Sequence, residues 1–322
     1  MIWGLMSTQA LHVTARLSLI DAMRDGPKRP AELAVQCAVS EGALHRLLRF
    51  LTAIDVLTED ENGRFAPTAT GELLRSDHPS SLRAVAVLLG SPFYWNAWGN
   101  LYEAVKTGRP AFDLVNGESF FDHLVRHDDD ASIFNTAMSG FARIDVPAIL
   151  DAYDFSSFER IVDVAGGHGS LLRAILERYP RARGVLCDLP SVLASAADIA
   201  ESPVAARCEM IPVDFFESVP PDGDVYLLKR ILHDWSDDEA VVILRNCRRA
   251  LAPGGRVLVA EQVVKPSNQP DPAKWMDLNM LTLLTGRERT EAEFGELYAR
   301  AGLRLTQVIP ATRLSIIEGV AA

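Results

Sequence analysis

Cysteine is scarce in this chain, with four residues in 322 and no CxxC pair among Cys37, Cys187, Cys208 and Cys247. That excludes a disulfide framework and points to a reducing compartment, the cytoplasm. The seven histidines show no metal-ligand spacing, so no metal is expected. Long apolar runs are missing too. Arginine, aspartate or glycine interrupts each one before it reaches the length of a membrane span. The opening MIWGLMSTQALHVTARLSLIDAM lacks the basic end and small-residue cleavage site of a secretory signal, and reads as a helix of the fold. Positive charge is in deficit: 32 Lys plus Arg against 43 Asp plus Glu leave a formal net charge of −11. This argues against a broad basic surface for nucleic acid. What remains, 48% hydrophobic and 23% charged residues, is the mixture of a folded globular chain with room for one large domain or two ordinary ones.

The front end reads as a small helical domain. Leu11, Val13, Ala15, Leu17, Leu19 and Ile20 crowd a first helix that Gly26 and Pro27 end. A short helix follows at 30–36. Ser40 then stands as N-cap before a helix with Leu44, Leu47, Leu48, Leu51 and Ile54 at helical spacing. Asn62–Gly63 sits between two short strand-like runs, a hairpin signal. Three helices and a hairpin is the order of a winged helix. Such domains often bind DNA, yet Glu41, His45, Arg46 and Arg49 make only a modest positive count, and the apolar excess of the first helix favours packing or dimerisation.

Residues 78–150 show helical patterns and no convincing strand. Aromatics and methionine recur there, among them Phe134 and Met138, four apart and on one helix face. Such side chains can line a pocket for a flat apolar ligand, although for any one of them a place in the core of a helical layer is the stronger reading. The run HDDD at 127–130 reads as a solvated helix start.

After about residue 155 the pattern becomes strand, glycine turn, helix, strand, acid. The pieces are a buried strand at 161–165, glycines at 166, 167 and 169, a helix at 171–179, and a strand at 184–187 ending in Asp188. Glycines let a cofactor approach the backbone, and the acid can take two ribose hydroxyls. NAD and S-adenosylmethionine (SAM) both use this layout. The turn AGGHG departs from G-x-G-x-x-G, which cradles a pyrophosphate, so the local signal favours SAM. Strands at 208–212, 224–228 and 256–264, helices at 237–250 and after Thr290, and a final strand pair at 303–310 and 314–318 complete an open sheet with helices on both faces.

His233 follows directly from the strand ending at Leu228, where catalytic groups of open sheets gather. Glu261 ends the next strand and Glu288 lies in the loop GRERT. A histidine between two glutamates is suited to remove a proton from a hydroxyl. Pairing with Asp234 as a buried structural histidine is the bland alternative.

Five stretches now carry a family resemblance: DVAGGHG at 163–169, CDLPSV at 187–192, LKRILHDWSDDEA at 228–240, APGGRVLVAE at 252–261 and GRERTEAEF at 286–294. The chain resembles, nearly end to end, the SAM-dependent O-methyltransferases of the plant caffeate and isoflavone type, in their bacterial natural-product branch. The resemblance implies an α/β fold: a Rossmann-like class I methyltransferase domain at 151–322, a winged-helix-like dimerisation domain at 1–75, and a helical linker and acceptor-pocket region at 76–150. It implies SAM as cofactor, S-adenosylhomocysteine (SAH) as product, a homodimer, and a small aromatic acceptor. By the same resemblance, Asp188 takes the ribose, Asp214 and Phe215 lie near the adenine, and Lys229, Asp163, Leu189, Gly166 and Gly167 complete the cofactor site. His233 is the base with Glu261 and Glu288 beside it, and Phe134, Met138, Asp234, Asn279 and Met280 face the acceptor. Ala165 departs from the family's glycine at that position. Methylation of nitrogen or sulfur, non-methylating SAM chemistry, a metabolite-sensing winged-helix regulator and an NAD reductase are the open alternatives.

Overall fold

Leucines 44, 48 and 51 stand on one helical face and are buried, which makes Glu41–Ala53 the central helix of the first structural unit. The computed structural model describes residues 2–266 and 268–322. It divides into two units, Met1–Gly99 with Glu118–Arg143, and Asn100–Gly117 with Ile144–Ala322. The segment 76–150 is therefore shared: 76–99 and 118–143 fall in the first unit, and 100–117 and 144–150 in the second.

In the first unit the helix Gly4–Arg16 is shorter than the apolar pattern suggests. Ser18 turns left-handed at φ 51°, and a 3-10 turn at Asp21–Met23 follows. The helices Pro30–Cys37 and Glu41–Ala53 come next. Ser40 occupies the N-cap position, but its side chain makes no capping bond. Strands β1 (Leu57–Glu59) and β2 (Phe65–Pro67) pair antiparallel. Asp60 shapes their turn, its Oδ1 accepting the N–H groups of Asn62 and Arg64 at 2.9 Å each. Leu19, Ile20, Leu33, Leu48, Leu51 and Phe65 form the dry centre. The order of three helices and a hairpin is thus present. The helix Arg83–Gly90 packs on the first helix, and a Cβ at Gly90 would lie 2.3 Å from the His12 ring.

The second unit is built on seven strands: β3 (Arg160–Val164), β4 (Arg183–Asp188), β5 (Cys208–Pro212), β6 (Gly223–Lys229), β7 (Leu251–Glu261), β8 (Leu303–Ala311) and β9 (Leu314–Ala321). Their spatial order is β5-β4-β3-β6-β7-β9-β8. The first five run parallel, and β9 lies antiparallel to both β7 and β8. The inner residues of β3, β4 and β6 are buried, in keeping with the short apolar runs of a parallel sheet, and charged residues stand mainly at the strand ends. Strand β7 begins five residues before the predicted start. Its register against β6 shifts between Gly223 and Val225, so the Pro253–Gly255 turn is absorbed as a bulge. The order of connection reverses between β3 and β6, and the carboxyl ends there present Asp163, Asp188, Lys229 and Glu261.

Candidate active site

The chain leaves β3 through Ala165, whose N–H bonds the carbonyl of Cys187 at 2.8 Å while its φ is +53°. An L-residue in this region is strained by roughly 1–2 kcal/mol, whereas glycine pays only about 0.5–1 kcal/mol of extra backbone entropy. Ala165→Gly is therefore expected to leave stability unchanged or raise it, by up to about 1.5 kcal/mol. Thermal denaturation checks this; a clear fall in midpoint would show that the methyl packs better than the backbone suffers.

Beyond Ala165 the backbone is open to a ligand. A Cβ on Gly166 would lie 2.6 Å from both the carboxylate of Asp163 and Leu186, while Gly167, at φ +60°, has nothing within 4 Å of that position. Asp188 holds the turn: Oδ2 accepts from Gly167 N–H at 2.9 Å and Oδ1 from Leu189 N–H at 2.7 Å. Each oxygen keeps a second lone pair for a hydroxyl. The carbonyl of Asp188 also accepts the N–H of Val213, which brings the loop of Asp214 and Phe215 alongside. Phe215 and Phe216 meet Trp235 edge-on at 5.9 and 4.8 Å, and Asn246 Nδ2 donates to both of their carbonyls. His168 Nε2 lies 3.3 Å from Ser195 Oγ.

Asp163 is buried with Oδ2 unpartnered, and burial pushes its carboxyl up to about 7, Lys229 opposing and Asp188 adding to the rise. A buried acceptor without a donor, beside a glycine whose Cβ would collide with it, fits the cationic amino acid portion of SAM. On the resemblance, Asp163, Gly166, Gly167, Asp188, Leu189, Asp214, Phe215 and Lys229 are the residues expected to hold SAM. The raised value has a definite sign. The folded state retains the proton from the ordinary carboxylate range up to about pH 7, so the penalty grows across that window and is complete above it. Asp163→Asn is expected to be more stable than the parent above pH 7, with the gain shrinking toward pH 4. It is also expected to bind SAM about 10- to 100-fold more weakly, the loss of one charge-assisted hydrogen bond. Paired melting and calorimetric titrations check both; tighter binding would remove Asp163 from the site.

At the end of β6 the chain enters a 3-10 turn, Leu232–Asp234. His233 is buried there. Its Nδ1–H donates to Glu288 Oε1 at 2.8 Å, and Nε2 lies 3.4 Å from Asp234 Oδ1. Glu261 is fully buried and makes no hydrogen bond to the ring. Its Oε1 accepts the N–H groups of Ile231 and His233 at 3.1 Å each, fixing the backbone of the turn rather than the imidazole. Burial disfavours the imidazolium, but the carboxylates of Asp234, Glu288 and Glu261 outweigh it and raise His233 to about 9. Asp234 is pushed up to about 7 by burial, with His233 opposing. Glu288 is held in turn by its own N–H, which donates to Asp277 Oδ1 at 2.9 Å.

Three features around this turn escape sequence reasoning. Arg289 is the largest fully buried side chain. Its guanidinium donates to the carbonyls of Leu232 and Trp235 at 2.9 Å each and to Asp237 Oδ1 from Nε at 2.9 Å, clamping both ends of the turn. Gly286 packs on the same backbone so closely that a Cβ would lie 1.9 Å from the carbonyl oxygen of His233. Arg230, left-handed at φ +57°, pairs its Nε with buried Asp145 Oδ2 at 3.0 Å. Only the company of Glu288 in GRERT marks the first two in sequence, and an arginine before an amphipathic helix reads as solvated.

Of the acceptor candidates, Asn279 is half-buried and Met280 buried on the helix Pro272–Leu283, with Asn279 Nδ2 3.7 Å from Met276 Sδ. Phe134 and Met138 are half-buried one turn apart on the helix Asp128–Ala152, in the first unit, and Phe134 meets Phe120 edge-on at 5.3 Å. Among the described residues, no helix is long and apolar enough to cross a membrane.

Two family models match the chain: an O-methyltransferase dimerisation domain over residues 1–77 and an O-methyltransferase domain over 98–304. The phenazine O-methyltransferase PhzM of Lysobacter antibioticus is 43% identical over 320 residues, covering 99% of this chain and 94% of that protein. The solved structure of the mitomycin 7-O-methyltransferase MmcR superposes with a TM-score of 0.93 at 34% identity, covering 100% of this chain and 96% of that one. The aclacinomycin 10-hydroxylase RdmB of Streptomyces purpurascens is 38% identical over 308 residues, covering 94% of this chain and 82% of that protein. With a glycine turn, an acid-tipped second strand and a histidine held by a glutamate on a sheet of this order, the chain belongs to the class I SAM-dependent O-methyltransferases that carry an N-terminal dimerisation domain, in their bacterial natural-product branch.

Proposed function

We propose that the group methylated is a phenolic hydroxyl on a small planar metabolite, and that His233 is the general base. The observation that carries this reading is the bond from His233 Nδ1–H to Glu288, which fixes the tautomer and leaves Nε2, 3.4 Å from Asp234 Oδ1, as the basic nitrogen. SAM, when bound, supplies an electrophilic methyl group and a neutral thioether leaving group. The chain's own task is to orient the hydroxyl, exclude water and take its proton at Nε2. Glu288 stabilises the resulting imidazolium, Glu261 and Arg289 hold the turn, and Asp234 beside Nε2 orients the incoming hydroxyl. On the helix Pro272–Leu283, Asn279 and Met280 supply amide and apolar contacts to a flat ring; for Phe134 and Met138 the resemblance alone supports a role toward the acceptor. The kinship with the plant caffeate and isoflavone enzymes belongs to this proposal. So do the domain limits 1–75, 76–150 and 151–322, the homodimer formed through the first of these, and a cytoplasmic setting.

Calorimetric titration with SAM and SAH, NAD serving as control, tests the cofactor. A screen of phenolic acceptors with methyl-labelled SAM tests the reaction. Label recovered on an aromatic oxygen supports the proposal. Label on nitrogen, or turnover of an aromatic substrate without label transfer, would favour a different chemistry. The kinship with a protein named as a hydroxylase makes this second outcome worth measuring.

A further inference from the structure

We propose that Glu118, His123 and His127 form a binding site for one first-row divalent ion of the zinc class, sharing no residue with the methyl-transfer site. His123 and His127 are four apart across the end of the helix Phe120–Arg126, so both rings fall on one side, where they stack with centroids 4.0 Å apart. Glu118 reaches the same point. Its Oε1 lies 2.9 Å from His123 Nδ1 and 3.7 Å from His127 Nε2. One ligand atom from each of the three residues falls within 4.8 Å of the other two. Two imidazoles and one carboxylate suit Zn²⁺, Co²⁺ or Ni²⁺ rather than the all-oxygen Mg²⁺ or Ca²⁺. Bonds of about 2.0–2.2 Å to each donor require the donors to stand on the order of 3–3.5 Å apart, and Glu118 Oε1 already stands 2.9 and 3.7 Å from the two imidazole nitrogens.

The surroundings are those of a built site. His123 Nε2 is held by Asp130 Oδ2 at 2.9 Å, the outer carboxylate that orients a ligating histidine and leaves Nδ1 facing inward. Arg126 Nη1 donates to the other oxygen of Glu118 at 2.7 Å, which fixes the carboxylate. Phe93 stacks on the His123 ring at 5.8 Å, so the imidazole is confined before any ion arrives. His127 is half exposed and gives the ion a way in. The ion replaces the proton lying between His123 Nδ1 and Glu118, and that proton leaves to solvent. The result is a tie between the Glu118 segment, the end of one helix and, through Asp130, the start of the next. The rival account is a histidine hydrogen-bonded between two carboxylates with no ion.

The test uses the full chain without an affinity tag, stripped with EDTA and titrated with CoCl₂ and with ZnCl₂. We expect one Co²⁺ per chain with a visible ligand-field band, and a rise in melting temperature with ZnCl₂ that MgCl₂ does not give. His127→Gln and Glu118→Gln are expected to lower Zn²⁺ affinity at least tenfold. The exposed His127 makes its variant safe to fold. Wild-type protein without a band or a melting shift at saturating metal overturns the proposal. So does binding that both variants retain.

Discussion

Replacing His233 with glutamine is expected to lower kcat by about 10²- to 10⁴-fold, the usual contribution of a positioned general base. The amide keeps the bulk and a hydrogen-bonding tip but cannot take a proton. The pH profile gives the sharper expectation. A base works only when neutral, and three carboxylates raise His233 to about 9 against the opposing effect of burial. Below that value the imidazolium dominates in the free enzyme. The profile of kcat/KM should therefore rise about tenfold per pH unit and level off near 9. In the glutamine variant that limb should vanish, leaving only the limb set by the acceptor's own hydroxyl, which both proteins share. An acceptor of known acidity separates the two. SAM affinity should stay within a few-fold, since Asp163, Asp188 and Lys229 are untouched. A variant that keeps the wild-type limb would show that another group takes the proton.

The site was legible in sequence where chemistry and strand position coincide. His233 directly after β6, Glu261 at the end of β7 and Asp188 at the end of β4 are visible because parallel strands read as short apolar runs with polar residues at their tips. The hairpin at Asn62–Gly63 and the helix after Thr290 announce themselves through turn and capping residues; Thr290 accepts from Glu293 N–H as its capping box requires. What was hidden depends on pairings across 28 to 85 residues. Glu261 stands beside His233 as the sequence suggests, but its hydrogen bonds go to the backbone N–H groups of Ile231 and His233 rather than to the imidazole. Arg289 carries no pattern of its own. Its burial follows from three acceptors converging where the chain turns, a coincidence set only by the fold. The strain at Ala165 was equally out of reach, for the alanine is plain in sequence but its left-handed backbone is not.

The second large effect is expected at Gly286. A methyl group there would stand 1.9 Å from the carbonyl oxygen of His233, 2.4 Å from the carbonyl carbon of Asp234 and 2.5 Å from the amide nitrogen of Trp235. All three are backbone atoms, so no side-chain rotation makes room. Nor can the turn swing away freely, since Glu261 holds the N–H groups of Ile231 and His233 while Arg289 holds the carbonyls of Leu232 and Trp235. Gly286→Ala must either push the turn off these anchors or displace the loop that carries Glu288, and either move separates His233 from its partner. Overpacking of this kind costs about 1–3 kcal/mol, and a shift on the order of 1 Å in a catalytic group costs about 100-fold in rate. The expected result is a kcat lowered about 100-fold and a reduced melting temperature, with SAM affinity nearly unchanged. Gly295→Ala is the control. That glycine lies within the helix Glu291–Ala301 with nothing inside 4 Å of its missing Cβ, so alanine should be neutral or stabilising there. If Gly286→Ala retained full kcat and stability, the turn would be more yielding than its four anchors allow. The close contact would then have no part in holding the base.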